Sequence, residues 1–203
     1  MSQVNVIAVP KAEHARYRWP FIEMLVSSLL SLTASLVLSI DAIALAKNPN
    51  ADLACNISSK ISCGAVGVTW QANLLGFPNA FLGLIAEPVV ITLAVAALGG
   101  TQFPRWFMNS ALGVYTIGLG FAYWLFYEAY FVIGALCPWC LVITAMTTTV
   151  WVSMMRVCIL DNTLRLPEPL HARLTTLLRL GVDVAFTIVF FAILAGAVIF
   201  KYL

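Results

Sequence analysis

Apolar residues fill this chain in five long runs, each parted from the next by charge, proline or glycine. The first runs from about Phe21 to Ala46, the second from about Ala80 to Leu98, the third from about Met108 to Ile133. The fourth spans Trp139 to Val157 and the fifth about Leu180 to Phe200. A bilayer core of roughly 30 Å takes about 20 apolar residues to cross as a helix, so each run is a candidate span. Pro78, Pro104 and the Pro167/Pro169 pair fall between the runs, where a missing backbone donor does little harm. The pattern predicts five transmembrane helices in one membrane domain over residues 21–203, behind a cytoplasmic segment at 1–20. One connection is long, the loop at 47–79.

Composition points the same way. Only 10% of the residues are charged and 62% are hydrophobic, whereas a soluble domain carries about a quarter charged residues. A net charge of +2, with no basic run, Gly-rich phosphate loop or RNA-binding aromatic motif, argues against a nucleic-acid partner.

Positive charge then orients the spans. With a cytoplasmic N-terminus, the inner side holds Lys11, Arg16, Arg18, Arg105, Arg156, Arg165, Arg173 and Arg179, and the outer side only Lys47, Lys60 and Lys201. The expected location is the inner (plasma) membrane, with the loop 47–79 and the C-terminus outside. Ala44-Leu45-Ala46 resembles a signal-peptidase site. The apolar run before it is longer than a usual signal core, however, and cleavage there would put the Arg-rich loops outside. The first helix is therefore expected to be retained.

On that orientation four of five cysteines gather at the outer membrane edge, the side on which disulfides persist. The loop carries Cys55 and Cys63, separated by seven residues, and Cys137-Pro138-Trp139-Cys140 opens the fourth helix. C-x-x-C spacing is the usual layout of a redox-active pair. Pro138 suits the first helical turn, which places Cys137 near the helix cap and Cys140 inside the first turn. There the helix dipole favours thiolate. Spacing and location admit three readings: a redox relay, two static disulfides, or a zinc site. No histidine lies on the outer side, because His14 and His171 are both cytoplasmic, so zinc would need all four thiolates. Cys158 lies 18 residues beyond Cys140, about 27 Å along the same helix, and reads as a packing residue.

Taken in order, several motifs resemble the vitamin K epoxide reductase family, in its bacterial form that oxidises protein thiols. They are the C-x7-C loop, Ser62-Cys63-Gly64, Thr69, Gly76-Phe77-Pro78-Asn79 with Leu82-Gly83, and Cys137-Pro-Trp-Cys140. The resemblance covers about Phe21 to Val157. It implies an all-α integral membrane fold: a four-helix transmembrane bundle around a quinone, a fifth peripheral transmembrane helix and a short half-helix in the outer loop. It also implies roles. Cys140 would be the quinone-reactive thiol, Cys137 would exchange with Cys63, and Cys55 would meet the external substrate. Asn79 would donate to a quinone carbonyl and Thr69 would bring a hydroxyl near the active cysteines. Trp139 is a candidate for packing on the quinone ring.

The implied activity is a thiol:disulfide oxidoreductase that passes electrons through both pairs to a quinone, menaquinone or ubiquinone. No soluble redox domain follows the fifth helix, so the form expected is the stand-alone one. Its expected partner is a separate extracytoplasmic thioredoxin-fold protein of the DsbA type. Two departures bear on substrate. Animal members carry Asp directly after the first loop cysteine and Tyr four residues after the last active one, where this chain has Asn56 and Thr144. The missing phenol argues against vitamin K epoxide as substrate and leaves quinone reduction intact.

Rival readings are a DsbB-type oxidase, in which the C-x-x-C pair precedes the widely spaced pair, and a disulfide-stapled or metal-binding membrane protein. Glu23, Asp41, Glu87, Glu128 and Asp183 lie in or near spans, where carboxylates are functional candidates. Asp41, within two turns of the outer end of its helix, is a candidate for influencing proton uptake or loop charge.

Overall fold

The structure is a computed structural model that describes residues 11–202, with the side chains of 18–202. Helix α1 (Lys11–Lys47) leads into the loop, which holds a one-turn helix α2 (Cys63–Gly67) and a 3-10 turn (Gln71–Asn73). Three long helices follow: α3 (Ala80–Leu98), α4 (Arg105–Tyr127) and α5 (Pro138–Leu160). A short α6 (Glu168–Arg179) and the long α7 (Val182–Tyr202) complete the described chain. Five of these helices are long and apolar enough to cross a bilayer, and the chain is a multi-pass, all-α membrane protein.

Helix α1 lies at the centre, packed most extensively on α3 and α5, while α4 covers the other side of α5. Lipid tails are as apolar as leucine, so small and polar side chains hold such helices together. The inward face of α1 shows this: Ser27, Ser28, Ser31, Ala34, Ser35 and Ser39 are all buried, at helical spacing. At Gly83 of α3, an added Cβ would overlap the Ser35 side chain. Two helix axes come together here because neither carries bulk.

The polar seam is closed by hydrogen bonds between helices. Ser31 Oγ donates to Glu87 Oε1 at 2.8 Å and Tyr115 OH donates to Glu87 Oε2 at 2.9 Å, tying α1, α3 and α4 together at one carboxyl. Toward the opposite end from the cysteines, Ser153 Oγ donates to Glu23 Oε2 at 2.8 Å, joining α5 to α1. Outward faces are apolar and open to lipid, as at Ile117 and Phe200, which are 76% and 92% exposed.

Three features depart from the hydropathy pattern. Helix α1 begins at Lys11 and runs through Pro20, ten residues before the expected start. Pro20 is the tenth residue of α1, where proline removes one backbone hydrogen bond, and the helix continues through that loss. Helix α4 continues as a π-helical stretch, Glu128–Ile133, until Gly134 at φ 73° turns the chain. The wider coil frees carbonyls, and α7 answers them: Tyr202 OH donates to Tyr130 O at 3.2 Å and Lys201 Nζ donates to the same carbonyl. The ammonium also sits 4.0 Å above the Tyr130 ring, a cation–π contact. Helix α6 is the third. Pro167 caps it and Arg156 of α5 anchors its end by donating to Leu178 O at 2.9 Å, while pairing with Asp183 Oδ2 at 3.3 Å. Helix α7 otherwise touches the bundle lightly and buries none of its most apolar stretch.

Because the Gly83–Ser35 approach leaves no room for a Cβ, Gly83→Ala is expected to destabilise the bundle by about 1–3 kcal/mol, the usual cost of overpacking. Adding Ser35→Gly should recover most of it, as read by thermal unfolding in detergent.

Candidate functional site

The loop after α1 is built around its two cysteines. Ile57 N and Ser58 N both donate to Ile61 O, at 2.9 and 3.0 Å, folding residues 57–61 into a tight turn. Asn56 Oδ1 accepts from Ser62 Oγ at 2.8 Å and from Gly64 N at 3.0 Å, so this side chain clamps the two ends of the turn. A Cβ on Gly64 would press on Asn56 at 3.2 Å, which is why the residue after Cys63 is small. Ser62 Oγ then accepts from Ala65 N at 3.0 Å and caps α2, the usual work of serine at a helix start. Cys55 and Cys63 are brought to a Cα–Cα distance of 5.6 Å and form a disulfide.

A second contact fixes the loop on the bundle. Ile61 and Leu136 form a one-residue parallel β-bridge. Ser62 N donates to Leu136 O and Leu136 N donates to Lys60 O, both at 2.9 Å. Each strand of the bridge leads within two residues to a cysteine. The outcome is that Cys137 Sγ lies 3.5 Å from Cys63 Sγ, in a buried cluster with Leu45, Leu53 and Cys55.

Cys137 is also the N-cap of α5. Its sulfur accepts from Cys140 N at 3.3 Å, with Pro138 in the first helical position. Hydrogen bonding from the Cys140 thiol, and then from the backbone N–H groups of Cys140 and Trp139, holds the Cys137 thiol below its ordinary pKa. Burial and the negative charge of Asp41 work in the opposite direction without winning. Cys137 and Cys140 are both unbonded thiols in this structure, and Cys140 is half-buried. Cys158, also unbonded, is buried in the core formed by α1, α3, α4 and α5, away from the other four.

Trp139 is half-buried and packs on the sulfur cluster. Asn79, the residue before α3, donates through Nδ2 to Gln71 O at 2.6 Å, while its Oδ1 is buried without a partner. Gln71 is itself fixed by donating from Nε2 to Glu128 Oε2 at 3.2 Å. The Thr69 hydroxyl donates to Val66 O at 2.7 Å and accepts from Ala72 N at 3.4 Å, so it is engaged within the loop backbone. Thr144, in the position of the family phenol, donates to Cys140 O at 2.9 Å.

One group beside the sulfurs had only a general signal in sequence. Asp41 Oδ2 lies 3.6 Å from Cys55 Sγ, and its carboxylate and the two loop sulfurs lie within 4.8 Å of one another. With the disulfide closed, two of the four thiolates that a zinc site would need are taken up in a covalent bond.

Over residues 22–155 the chain matches the family model described as Vitamin K epoxide reductase family. The chain belongs to the vitamin K epoxide reductase family. No curated protein matches it individually. As a family member it is a membrane-embedded thiol oxidoreductase working through cysteine pairs, and the arrangement of cysteines suits that chemistry. A vitamin K epoxide reductase homologue needs a thiolate within reach of a disulfide, because exchange proceeds by thiolate attack on sulfur.

Residue-resolved alkylation should find Cys137 reacting with a pH midpoint below that of an ordinary thiol, since its thiolate is favoured. Asp41→Asn removes an opposing negative charge and should move that midpoint lower still.

Proposed function

We propose that this protein is a quinone-dependent disulfide-forming oxidase acting at the outer face of the plasma membrane. It reoxidises an extracytoplasmic DsbA-like thioredoxin-fold partner through Cys55–Cys63 and then Cys137–Cys140. The observation that carries the reading is the 3.5 Å separation of the Cys137 and Cys63 sulfurs, one sulfur from each pair.

In the productive direction a partner thiolate attacks Cys55 and releases Cys63. The Cys63 thiolate attacks Cys137 of the Cys137–Cys140 disulfide and releases Cys140. Cys55, once freed by the partner's second thiol, attacks Cys63 and releases Cys137. Each step exchanges one S–S bond for another, and the hydrogen bond from Cys140 N to Cys137 Sγ stabilises the departing thiolate.

The quinone, menaquinone or ubiquinone, supplies a two-electron, two-proton acceptor when bound. Asn79 fits the role of holding it. Its Oδ1 is an orphaned buried acceptor, and such an atom calls for a donor, which a hydroquinone hydroxyl provides. One of its two amide hydrogens is committed to Gln71 O, which sets the orientation of the amide and leaves the second for a carbonyl. Trp139, beside Cys140 in sequence and packed on the cluster, offers an aromatic face. Thr69 would act through the loop backbone that it braces.

The test removes from each pair the cysteine that lies outside the Cys63–Cys137 contact. In Cys55→Ser/Cys140→Ser treated with diamide as oxidant, Cys63 and Cys137 should form a disulfide that is visible by mass spectrometry. Cys55→Ser alone should abolish quinone-dependent oxidation of a reduced thioredoxin-fold partner. Normal oxidation by that variant, or no Cys63–Cys137 bond in the double variant, would sink the relay.

A further inference from the structure

The relay assigns no group to the proton that Cys55 carries whenever it stands as a thiol, as in the fully reduced protein, although Cys55 must attack as a thiolate. Its sulfur is buried with the Cys63 and Cys137 sulfurs, with little water to take a proton. The nearest proton acceptor is the Asp41 carboxylate, with Oδ2 at 3.6 Å. In the closed disulfide Cys55 has no hydrogen, so this distance is a sulfur–oxygen contact. It is already the donor–acceptor distance of an S–H···O bond once Cys55 is a thiol.

Three further observations suit Asp41 to proton transfer. It is half-buried on α1, so one side meets the sulfurs and the other gives the proton a way out. No cation among the described residues lies within salt-bridge distance of it, the salt bridge there being Arg156–Asp183 at the far end. The titratable groups facing it are the sulfurs themselves: Cys55 and Cys63 from the loop, and Cys137 from the cap of α5, which feels the Asp41 charge. Lys47, on its own helix, and Lys60, in the loop, are exposed.

We propose that Asp41 is a catalytic residue of the relay: its carboxylate takes the proton of the Cys55 thiol as that sulfur attacks Cys63. The inference rests on the reading above, and the step balances. The Cys55–Cys63 bond forms and the Cys63–Cys137 bond breaks. The electron pair leaves on Cys137 as thiolate, and the proton moves from Cys55 Sγ to Asp41 Oδ2 and then to solvent. In the reverse direction the same carboxyl protonates Cys55 as it leaves.

The test mixes fully reduced protein with excess menadione, quenches with acid and follows both disulfides by alkylation and mass. In Asp41→Asn, Cys137–Cys140 should form at least as fast as in wild type while formation of Cys55–Cys63 slows about 100-fold, the lower range for a lost general base. Asp41→Glu should restore most of the second phase. Raising the pH toward the ordinary thiol range should rescue Asp41→Asn, because Cys55 then ionises unaided. An unchanged second phase in Asp41→Asn, or an Asp41→Glu protein as slow as Asp41→Asn at every pH, would overturn the proposal. Absence of the Cys137–Cys140 phase in wild-type protein overturns the relay and, with it, the role of Asp41.

Discussion

Two main-chain hydrogen bonds set the geometry on which the cysteine centre depends. They form the bridge between Ile61 and Leu136, the one point at which the outer loop is paired to backbone preceding α5. Side chains two residues beyond Ile61 and one beyond Leu136 are thereby held face to face, and both are cysteine. Such a contact uses amide groups that every residue has, so it is independent of sulfur chemistry. The tight turn at 57–61, the Asn56 clamp and the Ser62 cap all serve to deliver Ile61 in the right register. Asn56 Oδ1 accepts both hydrogen bonds, from Ser62 Oγ and Gly64 N, without bearing a charge, which explains how the loop tolerates Asn where animal relatives carry Asp.

Below this centre the bundle solves a separate problem, that of cohesion in a solvent as apolar as its own core. Serines at helical spacing bring α1 close to its neighbours, and the Glu87 carboxyl collects donors from two other helices. A carboxyl at that depth is costly unless satisfied, and here both oxygens have hydroxyl donors. The centre and the seam share α1, whose outer turns carry Asp41. Packing of the inner helix therefore also aims the side chain that contacts Cys55.

The long apolar spans were legible because hydropathy over some 20 residues is a local property. So was the cap position of Cys137, which follows from Pro138 and C-x-x-C spacing. What escaped was non-local or short. The Ile61–Leu136 pairing joins residues 75 positions apart and leaves no periodic trace. Helix α6 is too brief and too polar to register as a span, and it is held by Arg156, a residue on another helix. The π-helical end of α4 depends on Lys201 and Tyr202 reaching it from α7. For Asn79 and Thr69, sequence named the residues but not their neighbours. Gln71 O and Val66 O take up hydrogens whose partners nothing local in the chain announces.

The turn that joins Cys55 to Cys63 has one more consequence. Its disulfide closes a segment of sequence separation 8, and a link that short removes only roughly 2.5 kcal/mol of chain entropy on the loop-closure scale. Hydrogen bonds within the same segment have already taken up much of that freedom. Opening and closing the S–S bond therefore leaves the backbone where it stands. The loop behaves as a stiff electrode tip rather than a swinging arm.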